Sequence, residues 1–387
     1  MCHFNVMHAY LALAILTLEF ESSTIVLITI GTVNIMISLK RQLPKIELHS
    51  HLDGSVRPST AAEIAEEEGI ELNCSDLREL TERMTAPPSC TSLVEYLERF
   101  ELPLLLMQSR AALKRIAYET AEDAALENVR YLEVRFAPQL HTGRGLSIDE
   151  IVGAVAEGLS AAEAKYGHTV RIILVCMRHH AQADNEEVVR AASRLAGLGV
   201  VGVDLAGDEA GYPNELHEEV FGLANQLGLP ITIHAGEAAG ACSIRCAVEK
   251  LHARRIGHGV RLREDAELLQ LMSEQRIPLE MCVISNVQTK AVPSMESHPI
   301  REYLDGGLAV TVNTDNPTVS ATNQTREYEN LARRFRFTER DFMKVAENGI
   351  EAAFADGELK GRLRAQFRQE WRELGLVGSG EAGESRA

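Results

Sequence analysis

The sequence predicts an α/β protein built as a (β/α)8 TIM barrel, with a helical insertion between the first two strands and extra helices at the C-terminal end. Eight short β-rich runs alternate with longer stretches in which apolar residues recur every three or four positions. Several runs, IILV (172–175) and ITI (231–233) among them, are apolar at successive positions, as in parallel strands covered on both faces. The span from 44 to about 355 also exceeds a typical barrel of roughly 250 residues by enough for inserted loops.

In chain order, residues 1–42 come first and read as an apolar extension outside the fold. The runs 8–18 and 24–39 are broken by EFESS, and each is shorter than the roughly 18 to 20 residues of a membrane span. Neither follows a basic segment with a small-residue cleavage site, so a secretory signal fits poorly. Met36 opens MISLKRQLPKIEL as an alternative start, and a membrane partner is not expected. Residues 43–375 then form one domain, and the Gly, Ser and Glu content of residues 376–387 predicts a flexible tail.

The expected strands are IELHSH (46–51), VRYLEVRF (129–136), VRIILVCM (170–177), VVGVDLAG (200–207), ITIHAG (231–236), RIGHG (255–259), LEMCVIS (279–285) and AVTVNT (309–314). Amphipathic helices are expected over 147–167, 215–228 and 263–275. In the insertion, SLVEYLERFELPLLL (92–106) places Leu93, Tyr96, Leu97 and Phe100 on one helical face, which by itself reads as core packing.

Composition narrows the function classes. With 39 basic and 56 acidic residues the formal charge is -17, which disfavours a nucleic acid polymer as partner. The seven cysteines are scattered and form no CxxC. They read as free thiols of a reducing compartment, hence a cytoplasmic location. Cys242 and Cys246, four apart in a helical stretch, read as buried structural residues and not as a metal pair.

Barrel enzymes build their sites at the C-terminal ends of the strands. There the first strand carries His49 and His51, two apart and so on one side; the fifth carries His234 and Glu237; the sixth carries His258 between two glycines; the eighth carries Asp315. An HxH pair alone is equally a hydrogen-bonded structural pair. Four histidines, a Glu and an Asp at separate strand ends predict a metal site. Three imidazoles and a carboxylate suit one zinc ion with room for a water, and hydrolysis or hydrolytic deamination is the implied chemistry. The fourth strand has no lysine that could bridge a second metal.

The ordered motifs LPKIELHSHLDGSVRP, VRYLEVRFAP, ILVCMRHH, DLAGDE, ITIHAGE, RIGHG, SNVQT and NTDNP resemble the adenosine deaminase family, over about residues 43–355 and with a bacterial look. The HxE and PCxxC signature of cytidine-type deaminases is absent. The resemblance implies one Zn2+ per chain held by His49, His51, His234 and Asp315. It implies Glu237 as the acid that protonates purine N1, and His258 as the group that orients and deprotonates the attacking water. Gly207 would meet purine N3 through its amide, Asp53 the ribose 5'-hydroxyl, and Leu97 and Phe100 would shield the nucleoside from water. His179 and His180 would only line the rim.

The family commonly carries a second acid where this chain has Asn316. An amide can donate to a neutral purine N7, so Asn316 is read as a substrate contact. The implied activity is hydrolytic deamination of adenosine and deoxyadenosine to inosine and deoxyinosine in purine salvage. Two alternatives stay open: a deaminase of adenine, an N6-substituted nucleotide or aminodeoxyfutalosine, and a catalytically inactive nucleoside-binding module.

Overall fold

The computed structural model describes residues 40–377. The apolar runs at 8–18 and 24–39 and nearly all of the expected tail lie outside the described residues. Among the described residues no helix is long and apolar enough to cross a membrane. A compact unit begins at Leu43.

Its eight strands are β1 (Lys45–His51), β2 (Val129–Phe136), β3 (Thr169–Met177), β4 (Val200–Ala206), β5 (Thr232–Ala235), β6 (Arg255–His258), β7 (Leu279–Met281) and β8 (Val310–Val312). They pair in parallel in the orders β1–β2–β3–β4 and β5–β6–β7–β8. Isolated parallel bridges at Val203–Ile231 and Ser50–Asp315 join the two sheets at both edges. At these edges Val203 N donates to Pro230 O at 3.0 Å and His51 N to Asp315 O at 2.7 Å. The described unit is therefore the expected α/β barrel.

Five helices fill the insertion between β1 and β2: α1 (Pro58–Glu68), α2 (Leu77–Met84), α3 (Leu93–Leu97), α4 (Glu101–Leu106) and α5 (Arg110–Leu126). A 3-10 turn at Glu98–Phe100 joins α3 to α4. The crossover helix α6 (Ile148–Tyr166) shows how local chemistry sets the bounds. Ser147 caps it reciprocally with Glu150, and Gly167 ends it in the left-handed region at φ 72°.

The remaining crossovers are α7 (Gln182–Arg194), α8 (Glu218–Gln226), α9 (Ala241–Glu249), α10 (Ala266–Glu274), α11 (Val283–Gln288) and α12 (Ile300–Asp305). After β8 come α13 (Gln324–Phe335), α14 (Glu339–Ala352) and α15 (Gly357–Glu373), the extra C-terminal helices. Strand residues such as Val134, Leu174, Leu205, Ile233, Ile256 and Leu279 are buried in one cluster with apolar residues of the helices. Each such side chain contributes roughly 1.5–3 kcal/mol through burial.

Two expectations are corrected. The seventh strand stops at Met281, and Val283, Ile284 and Ser285 open α11. A short apolar run does not distinguish strand from buried helix, and the chain turns at Cys282 once its three ladder residues are used. Cys246 is buried, but Cys242 is exposed: four apart, the two share one side of α9, and Cys242 falls in its first turn.

The barrel interior is charged as well as apolar. Arg135 donates to Asp204 at 2.8 Å and to Glu280 at 2.7 Å; Arg255 donates to Glu280 and Glu133, both at 2.6 Å. All five side chains are buried. Such pairs recover little more than their desolvation cost, but removing one member strands a charge in the interior. The ladder therefore fixes positions, and its upper end lies directly beneath the functional residues.

Candidate active site

His49 and His51 enter from the end of β1, where pairing with β2 shifts register between Glu47 and Ser50. Glu47 Oε1 accepts from His49 N at 3.0 Å within this irregular stretch. His234 enters from β5, and Asp315 follows β8 with φ at 61°. One ligand atom from each of His49, His51, His234 and Asp315 lies within 4.8 Å of all the others.

The ring orientations follow from the barrel ladder. Nδ1 of His49 is 2.9 Å from Glu280 Oε2, and Nδ1 of His234 is 3.0 Å from Asp204 Oδ2. A carboxylate on Nδ1 keeps the proton there and turns the Nε2 lone pair toward the site. Arg135 bridges both carboxylates, so a single guanidinium orients two imidazoles from opposite sheets. Burial by itself would raise the Asp204 carboxyl, but the charges of His234 and Arg135 hold it well below the usual range.

Asp315 has its Oδ1 at 3.4 Å from Nε2 of both His49 and His51, while Ser285 Oγ donates to its Oδ2 at 2.6 Å. His49 Nε2 is buried without a hydrogen-bond partner, and the Nε2 atoms of His51 and His234 face each other at 3.2 Å. Lone pairs so converged repel one another unless a cation lies among them. The nitrogen and oxygen set fits a zinc-type ion.

Glu237 stands three residues beyond His234, on a loop held by Glu209. The Glu209 carboxylate accepts four consecutive backbone N–H groups, from Gly236, Glu237, Ala238 and Ala239, at 2.6 to 3.0 Å. Burial, with the charges of Asp315 and Glu209, pushes the Glu237 carboxyl up to about 8. Its Oε1 is buried and unpaired, and its Oε2 is 3.5 Å from His258 Nε2. Burial thus favours the protonated form that a general acid needs.

His258 ends β6 with φ at 63°. Two non-glycine residues in the left-handed region at one site is local strain of about 1–3 kcal/mol each, held by the surrounding hydrogen bonds. Gly257, before it, makes room for protein and not for a ligand. A Cβ there would lie 3.0 Å from His49 Cε1 and 3.2 Å from His234 Cα.

A cavity of about 460 Å³ opens above this group. Asp53, Gly207 and Asn316 line it together with Leu97 and Phe100, so every residue to which the resemblance gives a metal, catalytic or substrate role reaches one cavity or its floor. His179 lines it too, whereas His180 is not among the lining residues. Gly207 has φ at 111°, a conformation that suits glycine. Burial pushes the Asp53 carboxyl up to about 7 against its backbone hydrogen bonds, and Asp315 adds to the rise. Leu97 and Phe100 pack with Leu93, Tyr96 and Val319, so the helical face is both core and cavity wall.

Asn316 is buried, its Oδ1 without a hydrogen-bond partner, beside Gly54. A Cβ on Gly54 would meet that oxygen at 2.1 Å. Sequence reasoning quoted DLAGDE, LEMCVIS and SNVQT without giving roles to Asp204, Glu209, Glu280, Ser285 or Asn286. Their one visible signal was a polar residue inside an otherwise apolar strand or at its end.

Comparisons with known proteins agree with this geometry. A family model described as adenosine deaminase matches residues 44–370. The chain is 43% identical over 322 residues to an adenosine deaminase of Clostridium perfringens, covering 83% of this chain and 97% of that protein. The crystal structure of an adenine deaminase from Arthrobacter aurescens superposes with a TM-score of 0.79 at 30% identity, covering 86% of this chain and 99% of that one. An amidohydrolase from Burkholderia ambifaria, solved with bound Zn, superposes with a TM-score of 0.80 at 25% identity, covering 93% and 96%.

Proposed function

The chain belongs to the adenosine deaminase family, and from that premise we propose that it catalyses zinc-dependent hydrolytic deamination of adenosine and deoxyadenosine in cytoplasmic purine salvage. Water and adenosine give inosine and ammonia. The observation that carries the reading is the buried Glu237 carboxyl, its Oε1 unpaired, beside the cluster of three histidines and Asp315.

His49, His51, His234 and Asp315 would hold one Zn2+ per chain. When bound, the ion supplies a polarised water as nucleophile near neutral pH. The rest of the chemistry belongs to the side chains. A neutral purine is a poor electrophile at C6, and the Glu237 proton delivered to N1 makes that carbon deficient. His258 and Asp315 stand on the side from which the water attacks. The Gly207 amide and Asn316 side chain position the ring at N3 and N7, and Leu97 and Phe100 keep solvent from the nucleoside.

Asp53 places a carboxyl at the sugar end, and Asp208 adds another acid to the lining, where no lysine or arginine is found. That wall suits a free 5'-hydroxyl and offers a phosphate no cation. The free thiols among the described residues fit a reducing compartment.

Ammonia release from zinc-replete protein, against adenosine, adenine, AMP and aminodeoxyfutalosine with a chelated control, tests the reading. Metal-dependent conversion of adenosine as the fastest reaction is expected. Adenosine inert while another 6-aminopurine reacts would keep the chemistry and remove the substrate. Silence on all four would leave a nucleoside-binding module.

A further inference from the structure

Behind His258, away from the cavity, runs a chain of buried hydrogen bonds that reaches α12. Asn286 Nδ2 is 2.9 Å from His258 Nδ1, and Asn286 Oδ1 is 3.1 Å from His298 Nε2. The backbone N–H of Ile300 points at His298 Nδ1 at 3.3 Å. His258, Asn286 and His298 are all buried.

The direction of every bond is set from the far end. A backbone N–H can only donate, so His298 Nδ1 must accept. Burial, with Arg263 nearby, pushes the His298 imidazole down to about 3, so the ring is neutral and carries its single proton on Nε2. That proton must go to an oxygen, which places Asn286 Oδ1 toward His298 and Asn286 Nδ2 toward His258. The amide then donates to His258 Nδ1. The reversed amide would face His298 with a second donor, leaving a ring that accepts at both nitrogens and has nowhere to carry its proton.

We infer that Asn286 and His298 are positioning residues that hold His258 in one tautomer, with its proton on Nε2 and directed into the active site. Resting on the proposed deaminase reading, this makes His258 a hydrogen-bond donor to the oxygen that attacks C6 and to the charge that develops on it. It does not take a proton through that atom. The device is indirect: neither Asn286 nor His298 lines the cavity.

Replacing Asn286 by Asp inverts the pattern, since a carboxylate accepts from both rings and draws the His258 proton to Nδ1. Nitrogen-15 NMR of histidine-labelled, zinc-replete protein without substrate should show His258 as the Nε2–H tautomer, and as Nδ1–H in Asn286→Asp. The variant should keep its metal and its KM for adenosine while kcat falls on the order of 100-fold or more, as expected for a wrongly held imidazole. His298→Gln, whose amide can donate to Asn286 and accept from Ile300, should retain kcat within about threefold, while His298→Phe should lose on the order of tenfold or more.

An Nδ1–H tautomer in the unaltered protein, or wild-type kcat in Asn286→Asp, would overturn the inference. If Asn286→Asp does not fold, the two His298 variants decide, and equal kcat in both rejects it. A protein inert on every purine would sink the deaminase reading alone, because the tautomer is read without turnover.

Discussion

The Asp204 carboxylate lies 3.0 Å from Nδ1 of His234 and sits at the end of a buried salt bridge from Arg135. It touches neither the cavity nor the converged ligand atoms. It nonetheless decides which nitrogen of His234 faces them. Asp204→Asn should fold, because Arg135 keeps Glu280 as a partner, and should weaken zinc binding by about 10- to 100-fold. Competition against a fluorescent chelator measures this without turnover, and unchanged affinity would remove Asp204 from the metal site's support.

Glu237→Gln keeps the volume and the loop, since Glu209 binds backbone amides that the change leaves in place. Zinc content should be unchanged, and kcat should fall by about 100- to 10,000-fold, the usual contribution of a positioned acid. Substantial residual turnover would assign the N1 proton to another group.

Asn316 and Gly54 form one unit, because any side chain at 54 displaces the amide. Asn316→Ala should raise KM for adenosine without altering zinc content, and Gly54→Ala should follow it in the same direction. Unchanged kinetics in Asn316→Ala would rule out the purine contact.

Glu327 on α13 is buried, with Thr322 donating to one oxygen at 2.9 Å and the other oxygen unpaired. Burial pushes its carboxyl up to about 8. An acid whose folded pKa is raised binds more protons folded than unfolded, so its contribution to stability is fully present below about 4.5 and is lost as pH rises through about 8. Glu327→Gln should therefore gain stability relative to the unaltered protein as pH rises across that window, by about 4 kcal/mol between pH 5 and pH 9. Thermal melts at pH 5 and pH 9 check this, and a Tm difference that does not change with pH would contradict it.

The barrel was legible because its rule is local. Apolar runs at strand length, such as IILV on β3, and helices bounded by Ser147 and Gly167 declare themselves in sequence order. The metal cluster was legible for the same reason: barrel strands end at one face, so four histidines and two acids at strand ends had to meet. The seventh strand was misread because MCVI (281–284) is an unbroken apolar run, and only the ladder with β8 decides where the strand ends.

By itself, then, the sequence determined the fold class, the end of the barrel where polar strand ends gather, and the candidate ligands His49, His51, His234 and Asp315, whose ligand atoms the structure brings within 4.8 Å of one another. Only the tertiary structure decided how those groups are held. Glu280 reaches His49 across 231 positions of chain, Arg135 spans both sheets, and Asn286 points at His258 from just beyond the segment 279–285 that read as strand. Ring orientation, tautomer and the raised Glu237 pKa depend on desolvation and on partners brought from distant strands, and no local pattern encodes either.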